Sequence, residues 1–241
     1  MHGSGRSGKP RFWAVVPAAG SGSRMAADLP KQYLRMGGLT VLEHTLDALL
    51  SSARISGVVL ALAETDRHWS AISRRYAGHA LETVNGGVER CHSVQNCLDH
   101  LASRVSDTDQ VLVHDAARPC VRAADIERLI DTVTGSEDGG LLGLPVADTM
   151  KRVDAGGRIQ ATVPRERLWR ALTPQQFRLG LLRGALRQAL DSGALVTDEA
   201  AAMELAGYRP RMVQGHGDNI KITVPSDLAV AEFYLQTRES T

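Results

Sequence analysis

A run of seven small or apolar residues, GVVLALA at positions 57–63, is the feature that most constrains how this chain folds. It is too short to cross a membrane, and it is typical of a strand whose two faces are both covered. Similar runs begin at Phe12, Val111 and Leu141 and alternate with segments of helical periodicity. This order predicts repeated βαβ units. We therefore expect a Rossmann-like, three-layer α/β fold, with a mostly parallel twisted sheet and helices on both faces.

The helical segments have apolar residues on one face. In the segment Val41–Leu50, for example, Leu42, Leu46 and Leu49 are spaced to face a core. Further helices are predicted at residues 89–101, 124–133, 177–190, 198–206 and 225–234. The predicted strands are Phe12–Pro17 and residues 57–63, 81–84, 111–114, 141–146, 211–213 and 220–224.

The alternation stops at residues 147–167, ADTMKRVDAGGRIQATVPRER, where modest alternation around Gly156 and Gly157 predicts a β-hairpin. The segment has little apolar material for a core of its own. It is either an arm that protrudes and packs on a partner subunit or a hairpin that lies on its own domain. We expect a single domain over residues 11–241, with this arm, after a flexible polar tail at residues 1–10.

Composition excludes several classes of function. The chain has 28 basic and 27 acidic residues and only 4% aromatic residues, which argues against a general nucleic-acid or membrane-surface binder. No apolar run is long enough for a membrane span, and the opening MHGSGRSGKP has no apolar core of a secretory signal. Cys91, Cys97 and Cys120 are odd in number and lack metal-type spacing, so a reducing cytoplasmic setting is expected.

The stretch VVPAAGSGSRMAADLPKQYL, residues 15–34, follows the first strand and predicts a phosphate-binding loop. It lacks the third glycine of a dinucleotide fingerprint and the Gly-Lys-Ser/Thr of a Walker loop. Gly20 and Gly22 allow backbone amides to approach phosphate oxygens, while Arg24 and Lys31 add two cations. This set suits a triphosphate that is attacked at its α-phosphorus. The alternative is a tight turn with solvated charges.

The strings PAAGSGSRM and PKQYL resemble those of the 2-C-methyl-D-erythritol 4-phosphate cytidylyltransferases of the non-mevalonate isoprenoid pathway. The wider group includes the sugar-nucleotide pyrophosphorylases, so the loop by itself indicates the reaction class rather than the substrate. The resemblance implies that Arg24, Lys31 and the Lys221 of DNIKIT stabilise the phosphates. The positions that it implies for nucleotide contact in this loop are Pro17, Ala18, Ala19, Gly20 and Gly22.

The string NGGVERCHSV, residues 85–94, joins the third strand to a helix. Its glycines allow a base edge to contact the backbone, and in the resembling family this region binds cytosine, which implicates Gly87, Arg90 and Ser93. Val88 stands where some members have Asp. Without the resemblance, the string indicates a turn and a helix cap.

The string VLVHDAARP, residues 111–119, ends the fourth strand at Asp115. A carboxylate there suits Mg²⁺, which takes few protein ligands and adds phosphate oxygens and water. The resemblance implies that Asp115 is this ligand, although an isolated Asp after a strand is more often a helix cap.

Several motifs are implied to bind the acceptor. The strings DTMKR and TVPRERLW flank the hairpin, and the resemblance implies that Thr149 and Arg165 bind methylerythritol phosphate in the neighbouring subunit of a homodimer. Pro164 replaces an Asp found in some members. LTPQ and TDEA are implied to bring Thr173 and Thr197 to the acceptor, although both also suit helix N-caps.

Two further features concern single side chains. Lys221 lies between isoleucines, where an unpaired buried charge is costly, and a polyanionic site would resolve this cost. The histidines His44, His92, His114 and His216 have no ligand spacing and receive no role.

The resemblance extends over residues 12–234 and implies a Mg²⁺-dependent transfer of CMP from CTP to methylerythritol phosphate, with release of diphosphate. The alternatives are a ribitol 5-phosphate cytidylyltransferase and, of another class, a nucleotide-binding regulatory dimer without turnover. A sugar-1-phosphate nucleotidyltransferase is a more distant alternative.

Overall fold

The computed structural model describes residues 10–20, 29–194 and 196–239. Within these ranges, seven strands form a central sheet with the order β11-β7-β10-β6-β1-β4-β5, and two short hairpins stand apart from it. The strands are β1 (Phe12–Pro17), β2 (Arg35–Met36), β3 (Leu39–Thr40), β4 (Ile55–Leu62), β5 (Leu81–Asn85), β6 (Gln110–Val113), β7 (Gly140–Pro145), β8 (Met150–Val153), β9 (Ile159–Val163), β10 (Trp169–Arg178) and β11 (Arg211–Gln214).

The α-helices lie on both faces of this sheet. They are α1 (Val41–Leu50), α2 (Trp69–Ile72), α3 (Arg90–Ala102), α4 (Ala123–Val133), α5 (Leu179–Asp191), α6 (Glu199–Leu205) and α7 (Ser226–Glu239). Residues of β1 alternate between the two layers. Ala14 and Val16 belong to the apolar core that includes Leu46 of α1, while Val15 belongs to the core that includes Leu98 of α3 and Leu186 of α5. The predicted three-layer α/β fold is confirmed.

The sheet is mostly parallel. β1 pairs in parallel with both β4 and β6, so the ends of these strands meet at the same edge. Among the described strands of the sheet, only β10 runs opposite to its neighbours, and it separates β6 from β7. The edge at which β1, β5 and β6 end is therefore the place where open α/β folds bind ligands.

β10 was not predicted from the sequence. Phe177 lies in this strand, so the helix predicted to begin there begins two residues later, at Leu179. The strand WRALTPQQFR carries buried polar side chains and a proline, which normally argues against a central strand. A register irregularity between Ala171 and Gln175 accommodates Pro174, because the ladder to β7 is interrupted there.

Two other local predictions were wrong. Residues 220–224 are not a strand, although the N–H of Ile222 donates to the carbonyl of Ala117 at 2.8 Å. Thr173 and Thr197 are not helix N-caps. Thr173 lies within β10, and the cap of α6 is Asp198, whose side chain accepts from the N–H of Ala201 at 2.9 Å.

The predicted hairpin is present. β8 and β9 pair antiparallel, and Asp154 Oδ1 accepts from the N–H groups of Gly156 and Arg158 in the connecting turn, where Gly157 has φ +78°. Every residue of β8 is exposed, and the hairpin shares no ladder with the central sheet in the described residues. The hairpin is therefore a protruding arm. No helix in the described ranges is long and apolar enough to cross a membrane.

Candidate active site

Two adjoining pockets open at the edge where β1, β5 and β6 end. The first pocket is lined by Pro17, Ala18, Ala19, Gly20, Lys31, Gln32, Gly87, Val88, Glu89, Arg90, Ser93, Asp115, Ala116, Ala117 and Lys221. The second pocket is lined by Arg90, Asp115, Arg118, Ala171, Leu172, Thr173, Gln175, Thr197, Asp198 and Lys221. Both include Arg90, Asp115 and Lys221, so these three side chains form the wall between the pockets.

Asp115 follows the end of β6 and is buried. In the described part of the chain its carboxylate contacts three cations. Oδ1 accepts from Nε of Arg90 at 3.0 Å, while Oδ2 lies 2.9 Å from Nζ of Lys221 and 3.3 Å from Nε of Arg118. The side chain is therefore an ion-pair centre rather than a helix cap.

The charges around Asp115 control its protonation. Burial by itself raises the pKa of this carboxyl, but the positive charges of Arg90, Lys221 and Arg118 outweigh burial and hold its pKa well below the usual range. Burial lowers the pKa of Arg118, although an arginine remains protonated near neutral pH. The cluster thus carries more positive than negative charge, which suits a polyanionic ligand.

Arg90 has a second partner. Its Nη1 and Nη2 atoms donate to the two carboxylate oxygens of Glu199, at 2.6 and 3.1 Å, at the start of α6. Burial lowers the pKa of Arg90, but Glu199 and Asp115 outweigh burial and raise it above its ordinary value. Arg90 is therefore a fixed, permanently charged group between α3 and α6.

Lys221 is not a buried charge. Its side chain is 38% exposed, and its partner is Asp115. The segment that carries Lys221 is held near the site because the Nη1 of Arg118 donates to the carbonyl of Asn219 at 2.8 Å and Ile222 bonds to Ala117. Since the side chain reaches both pockets, Lys221 can bind an oxyanion at their junction.

The predicted phosphate-binding loop is described only at its two ends, because Gly22 and Arg24 lie outside the described residues. The side-chain amide of Gln32 donates to the carbonyls of Ala18 at 2.7 Å and Gly20 at 3.4 Å, which joins the two ends. Nζ of Lys31 donates to the carbonyl of Ile222 at 3.3 Å. Lys31 is therefore near the segment that carries Lys221.

The glycines after β5 allow close packing. A Cβ atom at Gly86 would lie 2.2 Å from the Cβ of Ala19, so only glycine lets these two strand ends approach. The N–H of Gly87 donates to Oγ of Ser93 at 3.1 Å, which closes the turn before α3. Val88 is 95% exposed at the rim of the first pocket.

The predicted acceptor residues divide into two groups. Thr173 and Thr197 line the second pocket. Thr149 and Arg165 are exposed on the arm and line neither pocket, and the guanidinium of Arg165 donates to the carbonyl of Ala147. A single chain therefore does not bring these four residues together.

His114 is completely buried behind the second pocket. Its Nε2 atom lies 3.1 Å from the carbonyl oxygen of Arg118, and its Nδ1 atom lies 2.9 Å from Oγ1 of Thr173. The same hydroxyl accepts from the backbone N–H of Asp115 at 3.1 Å. Burial lowers the pKa of His114 to about 4.

Asp115 is also suited to hold Mg²⁺. Among the described residues, no group of three or more His, Cys, Asp or Glu side chains could hold a metal. A single carboxylate is nevertheless compatible with Mg²⁺, which takes its other ligands from phosphate oxygens and water. The donor set fits the ion only in the presence of a polyphosphate.

Sequence reasoning did not assign Arg118, Glu199 or Gln32. Each lies within three residues of an assigned residue, in the motif HDAARP, TDEA or PKQYL. Their partners are distant in sequence. The motifs could therefore indicate the region of the site, but not the contacts that these three side chains make.

Comparison with known proteins identifies the family. The family model described as "IspD: 2-C-methyl-D-erythritol 4-phosphate cytidylyltransferase" matches residues 12–237. The chain belongs to this IspD family. A protein of that name from Hahella chejuensis is 51% identical over 226 residues, which are 94% of this chain and 93% of the relative.

Solved IspD structures have the same fold. One titled as 4-diphosphocytidyl-2C-methyl-D-erythritol synthase superimposes with a TM-score of 0.82 at 37% identity, over 95% of this chain and 100% of that one. The IspD of Francisella tularensis gives a TM-score of 0.79 at 33% identity, over 93% of this chain and 99% of that one. The resemblance seen in the sequence motifs is confirmed, and the protein is an IspD-family nucleotidyltransferase.

Proposed function

We propose that this protein transfers CMP from CTP to 2-C-methyl-D-erythritol 4-phosphate, giving 4-diphosphocytidyl-2-C-methyl-D-erythritol and diphosphate in isoprenoid precursor biosynthesis. Family membership supports the reaction. The observation that carries the proposal is the position of Asp115 among Arg90, Arg118 and Lys221, at the wall shared by two pockets. A polyanion can bind on each side of this wall, which is the arrangement that a transfer between two phosphates requires.

The first pocket is assigned to the nucleotide. It includes the start of the glycine loop and the turn at Gly87 and Ser93, which suits a triphosphate at one end and a base at the other. The second pocket is assigned to the acceptor, near Thr173 and Thr197. The α-phosphorus then lies beside Lys221, because this side chain reaches both pockets.

The chemical step needs no base. An oxygen of the acceptor phosphate attacks the α-phosphorus in line, forming one P–O bond, while the bond to the bridging oxygen breaks and diphosphate leaves with its electron pair. The acceptor phosphate is already an oxyanion at neutral pH. Negative charge builds up in the transition state, and we assign its stabilisation to Lys31, Lys221 and Arg24, acting as preorganised cations.

Mg²⁺ is proposed as the cofactor. When bound, it neutralises charge on the phosphates of CTP. The carboxylate of Asp115 would be its protein ligand, and Arg90, on Oδ1 of that carboxylate, orients it. Lys221 pairs with Asp115, and its partly exposed side chain is available to the phosphates of CTP.

The arm supports a homodimer. Met150, Val153 and Ile159 are exposed apolar residues of the hairpin, which suits packing against a second copy of the chain. In such a dimer Thr149 and Arg165 would complete the acceptor pocket of the neighbouring subunit. We also propose that residues 11–241 form one domain and that the protein is cytoplasmic, which the three free cysteines support.

A diphosphate-release assay tests the reaction. The protein is incubated with Mg²⁺, one nucleoside triphosphate at a time, and either methylerythritol phosphate or ribitol 5-phosphate. We expect release with CTP and methylerythritol phosphate, and its loss when EDTA replaces Mg²⁺. Release with ribitol phosphate alone would replace the proposed acceptor, and CTP binding without any release would indicate a regulatory protein.

Arg209→Ala provides a matched control for all site variants. Arg209 is exposed and precedes β11, at the edge of the sheet opposite to the pockets. Its loss should leave diphosphate release unchanged, because it removes a positive charge without touching either pocket.

A further inference from the structure

The buried His114 connects two segments of the second pocket. Its ring lies between the carbonyl of Arg118, in the turn after β6, and the hydroxyl of Thr173 in the antiparallel strand β10. The side chains of His114, Thr173 and Arg118 are all buried. The ring lines neither pocket, so its influence on a ligand passes through Thr173 or Arg118, which both line the second pocket.

The direction of each hydrogen bond follows from the partners. A carbonyl oxygen only accepts, so Nε2 of His114 must carry a proton to bond to Arg118. His114 is completely buried and neither of its hydrogen-bond partners is a carboxylate, so the ring is neutral. Nδ1 is then an acceptor, and it takes the hydroxyl proton of Thr173. A hydroxyl has one proton and two lone pairs. The N–H of Asp115 occupies one lone pair of the Thr173 hydroxyl, which leaves the other.

We propose that His114 is a positioning residue that fixes Thr173 as a hydrogen-bond acceptor toward the second pocket. Thr173 then has no proton to donate to a phosphate oxygen, and its free lone pair would repel one. The group that Thr173 meets is a donor, which in a polyol phosphate means a hydroxyl. This inference rests on the proposed function, since it deepens the assignment of the second pocket to the acceptor.

The protonation of the ring can be measured without any substrate. Long-range ¹H–¹⁵N spectra of protein labelled with ¹⁵N-histidine distinguish the two tautomers, and the His114→Asn variant assigns the signal. We expect a proton on Nε2 and none on Nδ1. A proton on Nδ1 would overturn the proposal, whatever reaction the protein performs. Failure of the proposed reaction would leave this spectrum unchanged, so the two outcomes are distinguishable.

A matched pair of variants tests the effect on the substrate. In His114→Asn the amide is near the position of Nδ1 and can still accept from Thr173. In His114→Gln the amide is near Nε2 and can bond to Arg118, but Thr173 loses its acceptor. We expect His114→Gln to raise the KM for methylerythritol phosphate roughly three- to tenfold, which corresponds to the loss of one hydrogen bond. We expect the KM of His114→Asn to stay close to that of the wild type.

The KM for CTP separates positioning from general damage to the fold. It should stay within about twofold of the wild-type value in both variants, because Thr173 keeps the N–H of Asp115 and the wall of the first pocket is unchanged. Equal effects of the two variants on both substrates would contradict the proposal. His79→Gln, at an exposed position in the loop before β5, is the control for histidine replacement. If neither His114 variant folds, the wild-type spectrum decides, and single replacement of the seven other histidines assigns the His114 signal by exclusion.

Acceptor analogues that each lack one hydroxyl test the last step. With one of these analogues, the KM of the wild-type protein should be roughly three- to tenfold higher than with methylerythritol phosphate. The KM of Thr173→Val should be the same for that analogue and for methylerythritol phosphate. If every analogue raised the KM of the wild type and of Thr173→Val by the same factor, the proposed contact would be excluded.

Discussion

The Nζ atom of Lys221 lies 2.9 Å from Oδ2 of Asp115, and this contact joins the segment before α7 to the end of β6. It explains how a partly exposed lysine is held at the boundary between the two pockets. It also explains why the carboxylate, with Arg90 and Arg118 on the same two oxygens, remains ionised although it is buried.

Lys31→Ala should lower kcat by roughly 10²-fold or more, on the scale of losing one preorganised donor to the transition state. Steady-state diphosphate release measures this value, with Arg209→Ala as the control for lost positive charge. A kcat near that of the wild type would remove Lys31 from the mechanism.

Asp115→Asn should abolish most activity, since it removes the proposed metal ligand and leaves three cations without their shared anion.

The stability that Asp115 gives to the folded protein should decrease at acid pH. Because the pKa of Asp115 is lowered in the folded protein, its contribution is complete above the ordinary titration range of Asp, about pH 4, and is lost as the pH falls below it.

Thermal unfolding of the wild type and of Asp115→Asn at several pH values measures this contribution. The difference in Tm between the two proteins should be constant from neutral pH to about pH 5 and should shrink below about pH 4. A difference that grows with acidification would contradict the ion-pair assignment.

Glu199→Gln should destabilise the protein, because it removes the bidentate anionic partner of Arg90 within a buried ion pair. The expected decrease in the free energy of unfolding is about 3 kcal/mol. Denaturant titration gives this quantity. Glu204→Gln is the matched control, since Glu204 is an exposed residue of the same helix α6. Equal stability of the two variants would show that Glu199 does not anchor Arg90.

Ile159→Lys should convert the proposed dimer to monomers, because Ile159 is 66% exposed on the arm and a charge there would be buried in the interface. Sedimentation velocity measures the change. Gln188→Lys is the control, since Gln188 is exposed on α5 and the variant adds the same charge away from the arm. A wild-type monomer, or a dimer that tolerates Ile159→Lys, would exclude this face of the arm as the interface.

The elements with a strong apolar pattern were predicted well. α1 has the predicted limits, and β1, β4 and β6 lie where continuous apolar runs were seen, because strands covered on both faces exclude polar residues. The arm was also predicted, since a hairpin turn and a lack of apolar residues are local properties.

β10 could not be predicted in the same way. Thr173, Gln175 and Gln176 are polar yet buried, because their side chains find partners on other elements, such as Asp198 for Gln175 and Thr134 for Gln176. Neither partner is adjacent in sequence, so a local pattern does not indicate that these residues are satisfied inside the sheet.

The sequence by itself determined the fold class, the order of most elements and the motifs of the family, because burial of apolar residues and turn chemistry are encoded locally. The tertiary structure decided which charges share Asp115, where β10 lies, and how His114 reaches Thr173. These depend on residues brought together from distant segments, and the distances and burial that set their electrostatics exist only in the folded chain.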